Sequence, residues 1–197
     1  SGAAGSMAPA SPGWANATFT AGTVAGSYAN AVSASATQGG TTRIGTASVL
    51  ITTDQVARID VSPASASLQP TGQQIFTARG YDQYNNLIWP LEVSWGVKGT
   101  GVITKTGSVT ATFSAGTVAG IFAKAVSAST QGVTGTADVT VNAGPLFAIN
   151  LTPGIVVLGI NSQQPFNAAG IDAWGNSVPG FSATWSVSPP SAGSFDS

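Results

Sequence analysis

Between Val56 and Asn142, apolar and polar positions alternate in short bursts separated by turn residues. Arg58-Ile59-Asp60-Val61 alternates before Pro63, and Gln74-Ile75-Phe76-Thr77-Ala78 follows Pro70-Thr71-Gly72. Leu91-Glu92-Val93-Ser94-Trp95 alternates after Trp89-Pro90, and Ala111-Thr112-Phe113, Ile121 to Ser127 and Thr136 to Val141 continue the pattern. A period of two places successive side chains on opposite faces of a strand. No segment sustains a helical period, and the Ala-rich stretch Ala29 to Ala36 is interrupted by Val and Ser. About seven short strands in roughly 90 residues, with turn signals every 8–12 residues, predict a β-sandwich.

The same pattern recurs outside this segment. Residues Ala17 to Ser35 (ATFTAGTVAGSYANAVSAS) and Ala111 to Ser129 (ATFSAGTVAGIFAKAVSAS) agree at 15 of 19 positions. Gly45-Thr46-Ala47-Ser48-Val49 then answers Gly135-Thr136-Ala137-Asp138-Val139. Arg58 to Trp95 aligns with Ala148 to Trp185 at a constant shift of 90, through Ile59/Ile149, Pro63/Pro153, Phe76/Phe166, Asp82/Asp172, Asn86/Asn176 and Trp95/Trp185. Self-similarity at such a period is the mark of a tandem array. The expected domains are therefore 1–53, the back half of one sandwich; 56–142, a complete one; and 145–197, a front half. The halves are complementary. With Ser1 placed after Ser197, Gly193-Ser194-Phe195 meets Gly2 at the spacing at which Gly101-Val102-Ile103 meets Gly107, and Phe195-Asp196-Ser197-Ser1-Gly2 becomes a turn between strands.

Several motifs resemble the bacterial Ig-like (Big-type) domain superfamily, the tandem modules of prokaryotic surface proteins. They are Ile59-Asp60-Val61-Ser62-Pro63, Gly72 to Ala78, Tyr81-Asp82-Gln83-Tyr84-Asn85-Asn86, Val93-Ser94-Trp95, and Gly135 to Val141. The resemblance implies an all-β fold of tandem immunoglobulin-like sandwiches and an extracellular or cell-surface setting. It departs from the usual pattern at Tyr84-Asn85-Asn86, where a Gly-Asn turn is commoner; Trp174-Gly175-Asn176 keeps that turn. Under this reading Trp95 and Trp185 sit on a central strand and fill the core. Phe76, Phe166, Phe19, Phe113, Tyr28 and Phe122 are expected to join them. Trp89, Trp174, Tyr81 and Tyr84 fall at or near loops, as candidate interface residues or as rings that stack on sugars.

Composition narrows the chemistry. Charged residues make up 7% of the chain and the net charge is −1, against about 25% charged residues in ordinary proteins. So weak a field gives no reason to expect nucleic acid or an anionic membrane as partner. It also leaves little repulsion between copies. There is no Cys and no His, which removes disulfides, thiolates, Cys/His zinc sites and imidazole catalysis. No apolar run approaches the roughly 20 residues that span a bilayer. Ser1-Gly2-Ala3-Ala4-Gly5 lacks signal-peptide character, so an export signal is expected to lie outside these residues.

The seven acids, Asp54, Asp60, Asp82, Glu92, Asp138, Asp172 and Asp196, are scattered singly, with no carboxylate pair for glycoside hydrolysis. No base is placed to activate a serine, so the chain is expected not to be an enzyme. Asp82 with Asn85 and Asn86, and Asp172 with Asn176, offer oxygens to calcium. One carboxylate per loop is thin for a cation that takes six or more oxygens, so these residues are read as turn caps and no cofactor is expected. Lys98, Lys105 and Lys124 would form isopeptide cross-links only if buried beside an acid. Asn16-Ala17-Thr18 and Asn150-Leu151-Thr152 match the N-glycosylation acceptor pattern.

Serial sandwiches joined by short linkers, Thr53 to Val56 and Asn142 to Pro145, behave as a rod. The expected function is structural, in an extracellular filament or surface rod built head to tail with the chain itself as partner. An adhesin or carbohydrate-binding module is the alternative. Two arrangements stay open: one period of a longer repetitive chain, or a subunit whose split sandwich is completed by the next copy.

Overall fold

A computed structural model describes residues 5–8 and 16–195. The expected turn through Asp196, Ser197, Ser1 and Gly2 lies outside the described residues. Among the described residues there are fourteen strands: β1 (Gly5–Ala8), β2 (Thr18–Ala21), β3 (Gly26–Gln38), β4 (Thr41–Ile51), β5 (Arg58–Ser62), β6 (Ser65–Leu68), β7 (Gln73–Tyr81), β8 (Ser94–Val97), β9 (Val102–Lys105), β10 (Thr110–Ser114), β11 (Gly120–Thr130), β12 (Val133–Val141), β13 (Ala148–Thr152) and β14 (Asn167–Ile171).

The middle eight strands build two facing sheets, in the orders β5-β7-β10-β9 and β6-β12-β11-β8. All pairings are antiparallel except β6 with β12. This is the immunoglobulin arrangement, with the first strand divided between the sheets. The division falls at Pro63, whose missing N–H cannot continue a ladder. Alternation in the sequence becomes alternation in burial: Ile59 and Val61 of β5, Phe76 and Ala78 of β7, Ala111 and Phe113 of β10, and Ala137, Val139 and Val141 of β12 face inward. Phe76 and Phe113 are fully enclosed and meet edge to face, with ring centroids 6.4 Å apart. Leu91 and Val93 are buried too, although β8 begins only at Ser94. β6 is not among the strands the alternation predicts, because Ser65-Ala66-Ser67-Leu68 alternates over only four residues.

Before and after this sandwich the same parts occur incompletely. β1 pairs with β2 and β3 with β4, repeating β9–β10 and β11–β12. The two long hairpins share a bulge, with the register shifting between Tyr28 and Val32 and between Phe122 and Val126. Asn30 and Lys124 occupy these bulges with φ of 52° and 53°. β13 pairs with β14 as β5 pairs with β7.

Several of the aromatic residues expected in the core are only partly enclosed. Trp95 lies on β8, at the edge of its sheet rather than on a central strand. It is half-buried against the core, and its indole N–H has no acceptor. Trp185 is 38% exposed and rests on Phe195 at 5.3 Å. Phe19 and Phe166 are only half-buried: β2 has no counterpart of β7 beside it, and β14 has no counterpart of β11 and β12 facing it. Tyr28 and Phe122 precede the bulges and are also half-buried: the Tyr28 hydroxyl donates to Val24 O, and the Phe122 ring covers Gly99.

Candidate functional site: a repeated domain junction

After β7 the chain turns through Asp82 to Asn86, and after β14 it turns identically through Asp172 to Asn176. Asp82 N donates to Asn86 O and Asn85 N to Asp82 O; Asp172 N donates to Asn176 O and Gly175 N to Asp172 O. The fourth loop residue needs a positive φ, which Asn85 adopts at 64° and Gly175 at 84°. Asn tolerates this region, so the departure from a Gly-Asn turn leaves the loop unchanged.

Each Asp is a buried hub. Asp172 Oδ1 accepts from the N–H groups of Trp174 (2.9 Å) and Asn176 (2.8 Å), and Oδ2 from Gly144 N–H (2.8 Å) and the Asn176 amide (2.8 Å). Asp82 does the same with Tyr84 N–H (2.9 Å), Asn86 N–H (2.9 Å), Asp54 N–H (3.1 Å) and the Asn86 amide (2.8 Å). Gly144 and Asp54 belong to the linkers, so each carboxylate fastens its own sandwich to the incoming chain.

The Asn then reaches across to the preceding sandwich. Asn86 Nδ2 donates to Thr23 O (2.8 Å) and its Oδ1 accepts from Ala25 N–H (3.0 Å). Asn176 Nδ2 donates to Thr117 O (2.8 Å) and its Oδ1 accepts from Ala119 N–H (2.8 Å). The gripped loops are identical in sequence, Ala21-Gly22-Thr23-Val24-Ala25-Gly26 and Ala115-Gly116-Thr117-Val118-Ala119-Gly120. The joint thus occurs twice with the same atoms.

Burial works to raise the Asp172 carboxyl. The Asn176 amide and the N–H groups of Gly144, Asn176 and Trp174 outweigh it and bring the pKa from an ordinary 3.8 to about 2. Asp82 is lowered in the same way, burial again opposing, by the Asn86 side chain and the N–H groups of Asn86, Asp54 and Tyr84. A carboxyl depressed on folding contributes stability that is complete above its unfolded value and is lost as pH falls through its folded value. Both joints should therefore hold unchanged from neutrality down to about pH 4, and the Asp172 joint should loosen as pH falls toward about 2, with the Asp82 joint loosening in the same direction below the ordinary carboxylate range. Solution scattering across that range checks this; loosening already at pH 6 would contradict it. A cation at either Asp would have to displace N–H donors that already fill both oxygens.

The other singled-out residues are placed as follows. Trp174 packs on the linker, where a Cβ on Gly144 would stand 2.9 Å from its Cζ3. At the first joint Asp54 replaces that Gly, and Tyr84 replaces Trp174 and is exposed. Tyr81 lies under the Arg58 guanidinium at 4.4 Å, and Trp89 stands 72% exposed away from the joint. Lys105 pairs with exposed Glu92 and donates to Val93 O (3.0 Å), while Lys98 and Lys124 are exposed, so no buried Lys–acid pair arises from these three. Asn16 and Asn150 are exposed. Among the described residues no helix is long and apolar enough to cross a membrane.

Sequence reasoning identified Asp82, Asn86, Asp172 and Asn176 as turn caps but missed the cross-domain grip. The available signal was an Asp-to-Asn spacing of four kept in both repeats, beside a loop repeated without change.

No family profile and no curated protein sequence matches the chain significantly. Among solved structures it is similar to domains 4–9 of the surface layer protein SbsC, at 17% identity over 82% of this chain and 26% of that one, with a TM-score of 0.43. It is also similar to the Escherichia coli adhesin FdeC, at 20% identity over 83% of this chain and 56% of that one, with a TM-score of 0.49. The chain thus spans about a quarter of the SbsC piece and somewhat over half of the FdeC chain.

Proposed function

We propose that this chain is a structural segment of an extracellular filament or cell-surface rod, in which serial Ig-like sandwiches join head to tail through stiffened joints. The observation that carries this reading is the joint itself, built twice from one turn whose Asp accepts from the linker and whose Asn bonds to the preceding loop. Freely swinging domains need no such fastening, and at each joint one loop ties down both the linker and the neighbour. The low charge fits the same role, because stiffness made from amide and carboxylate bonds at close range is little affected by salt.

Replacing both Asn86 and Asn176 with Ala tests this. Each change leaves a backbone N–H and a C=O of the preceding loop without a protein partner, at a cost of about 1–3 kcal/mol per joint. Scattering should show a narrow, elongated distance distribution for the parent chain and a shorter, broader one for the variant, with each sandwich still folded. A parent chain as loose as the variant would remove the rod reading.

A further inference from the structure

We infer that Asn150 is a glycosylation site, whose side-chain amide takes an N-linked glycan from a lipid-carried sugar donor outside the cell. This rests on the extracellular setting of the proposed function and adds a modification to it.

The acceptor motif is Asn150-Leu151-Thr152. On β13 a period of two puts Asn150 and Thr152 on one face and Leu151 on the other. The face that holds Asn150 is the solvent side of the sheet in a complete sandwich. The counterparts Asp60 and Ser62 are exposed in the middle sandwich, while Val61, which answers Leu151, is buried there. Access to the acceptor therefore does not depend on what packs against the other face of β13. β5, the counterpart of β13, is moreover an edge strand, open along one side.

The surroundings of the acceptor are small where those of its counterpart are large. Asp60 lies opposite Arg79 and pairs with the Arg58 guanidinium, which covers the Tyr81 ring. Asn150 lies opposite Ala169, and Ala148 and Ile171 stand in the places of Arg58 and Tyr81. Two arginines and a carboxylate thus give way to two alanines and an amide. The result is a low, uncharged patch with room for a bulky, hydrated substituent.

Among the described residues the Asn150 side chain has no hydrogen-bond partner, so its amide is free to react. Asn30, Asn85, Asn86, Asn142 and Asn176 all hold partners within the chain, and none of these five begins an acceptor motif. Asn16-Ala17-Thr18 is the weaker acceptor, because its counterparts Thr110 and Thr112 are half-buried on β10, between β7 and β9. The middle sandwich has Asp60 and Thr110 at the two acceptor positions and so takes no glycan.

In the transfer, the Asn150 amide nitrogen attacks the anomeric carbon of a glycan esterified to a polyprenyl phosphate or diphosphate. A nitrogen–carbon bond forms and the carbon–oxygen bond to the phosphate breaks. The lipid phosphate leaves with the electron pair, and the nitrogen gives up one proton. Thr152 supplies the hydroxyl that completes the acceptor motif.

Chains recovered from outside the producing cells, digested and sequenced by mass spectrometry, test this. The peptide holding Asn150 should be heavier by whole sugar residues, with fragmentation placing them on the amide. Peptides holding Asn86, Asn142 and Asn176 should keep their sequence masses. Thr152→Ala should abolish the added mass and Thr152→Ser should retain it, with the chain folded in both. Bare Asn150, or sugar on neighbouring hydroxyls alone, would overturn the inference and leave the rod reading standing, which the Asn86 and Asn176 scattering experiment decides separately. Added mass that survives Thr152→Ala would overturn it too. Chains found only inside the cells would remove the extracellular setting and the inference with it.

Discussion

Phe113→Ala is expected to destabilise the middle sandwich by about 3–5 kcal/mol, the usual cost of removing an enclosed aromatic ring. Phe113 is fully buried, meets Phe76 edge to face, and lies against Gly101, where even a Cβ would come within 2.7 Å of the ring. Phe19 occupies the same position in the first half but is only half-buried there. Phe19→Ala should therefore shift the unfolding of the dispersed chain much less than Phe113→Ala does. Urea unfolding followed by tryptophan emission checks both, with Trp95 reporting on the middle sandwich. Equal losses at the two positions would mean that the first half is already packed against a partner.

Gly135→Ala should be the next most damaging single change, at about 1–3 kcal/mol and at the upper end of that range. The new methyl group would stand 2.3 Å from Ile59 O and 2.9 Å from Ile59 C. These are backbone atoms of β5, which its own ladder to β7 holds in place through the pairing of Ile59 with Gly80. Relief therefore requires moving a strand rather than a side chain. Thermal unfolding of the purified chain gives the answer, and a melting temperature unchanged within a degree or so would show that the strands sit further apart than described.

The sandwich was legible because its two rules are local. Period-two alternation appears in Arg58 to Val61 and in Gln74 to Ala78, and both become strands with the expected faces buried. The repeat was legible from identity alone. Burial in the halves was not, because Trp185 and Phe166 have the sequence neighbours of core residues but lack the counterparts of β11 and β12 that complete a core around them. The joint was hidden for a different reason. Asn176 bonds to Thr117 and Ala119, at 59 and 57 positions' distance, through backbone atoms that every residue type carries. Composition and periodicity hold no trace of such a partner. The edge position of Trp95 was equally invisible, since strand order follows from which ladders form and not from the pattern within one strand.

Because Asn86 and Asn176 recognise only a carbonyl and an amide of the preceding loop, the hinge reads the shape of its neighbour and not its side chains. Any module whose corresponding loop follows the same path can be seated there, whatever its remaining sequence. A gene encoding such modules could lengthen, shorten or exchange them by recombination without a compensating change at the hinge. Selection would then act on the number of modules, and hence on reach, while the faces of each remain free to drift.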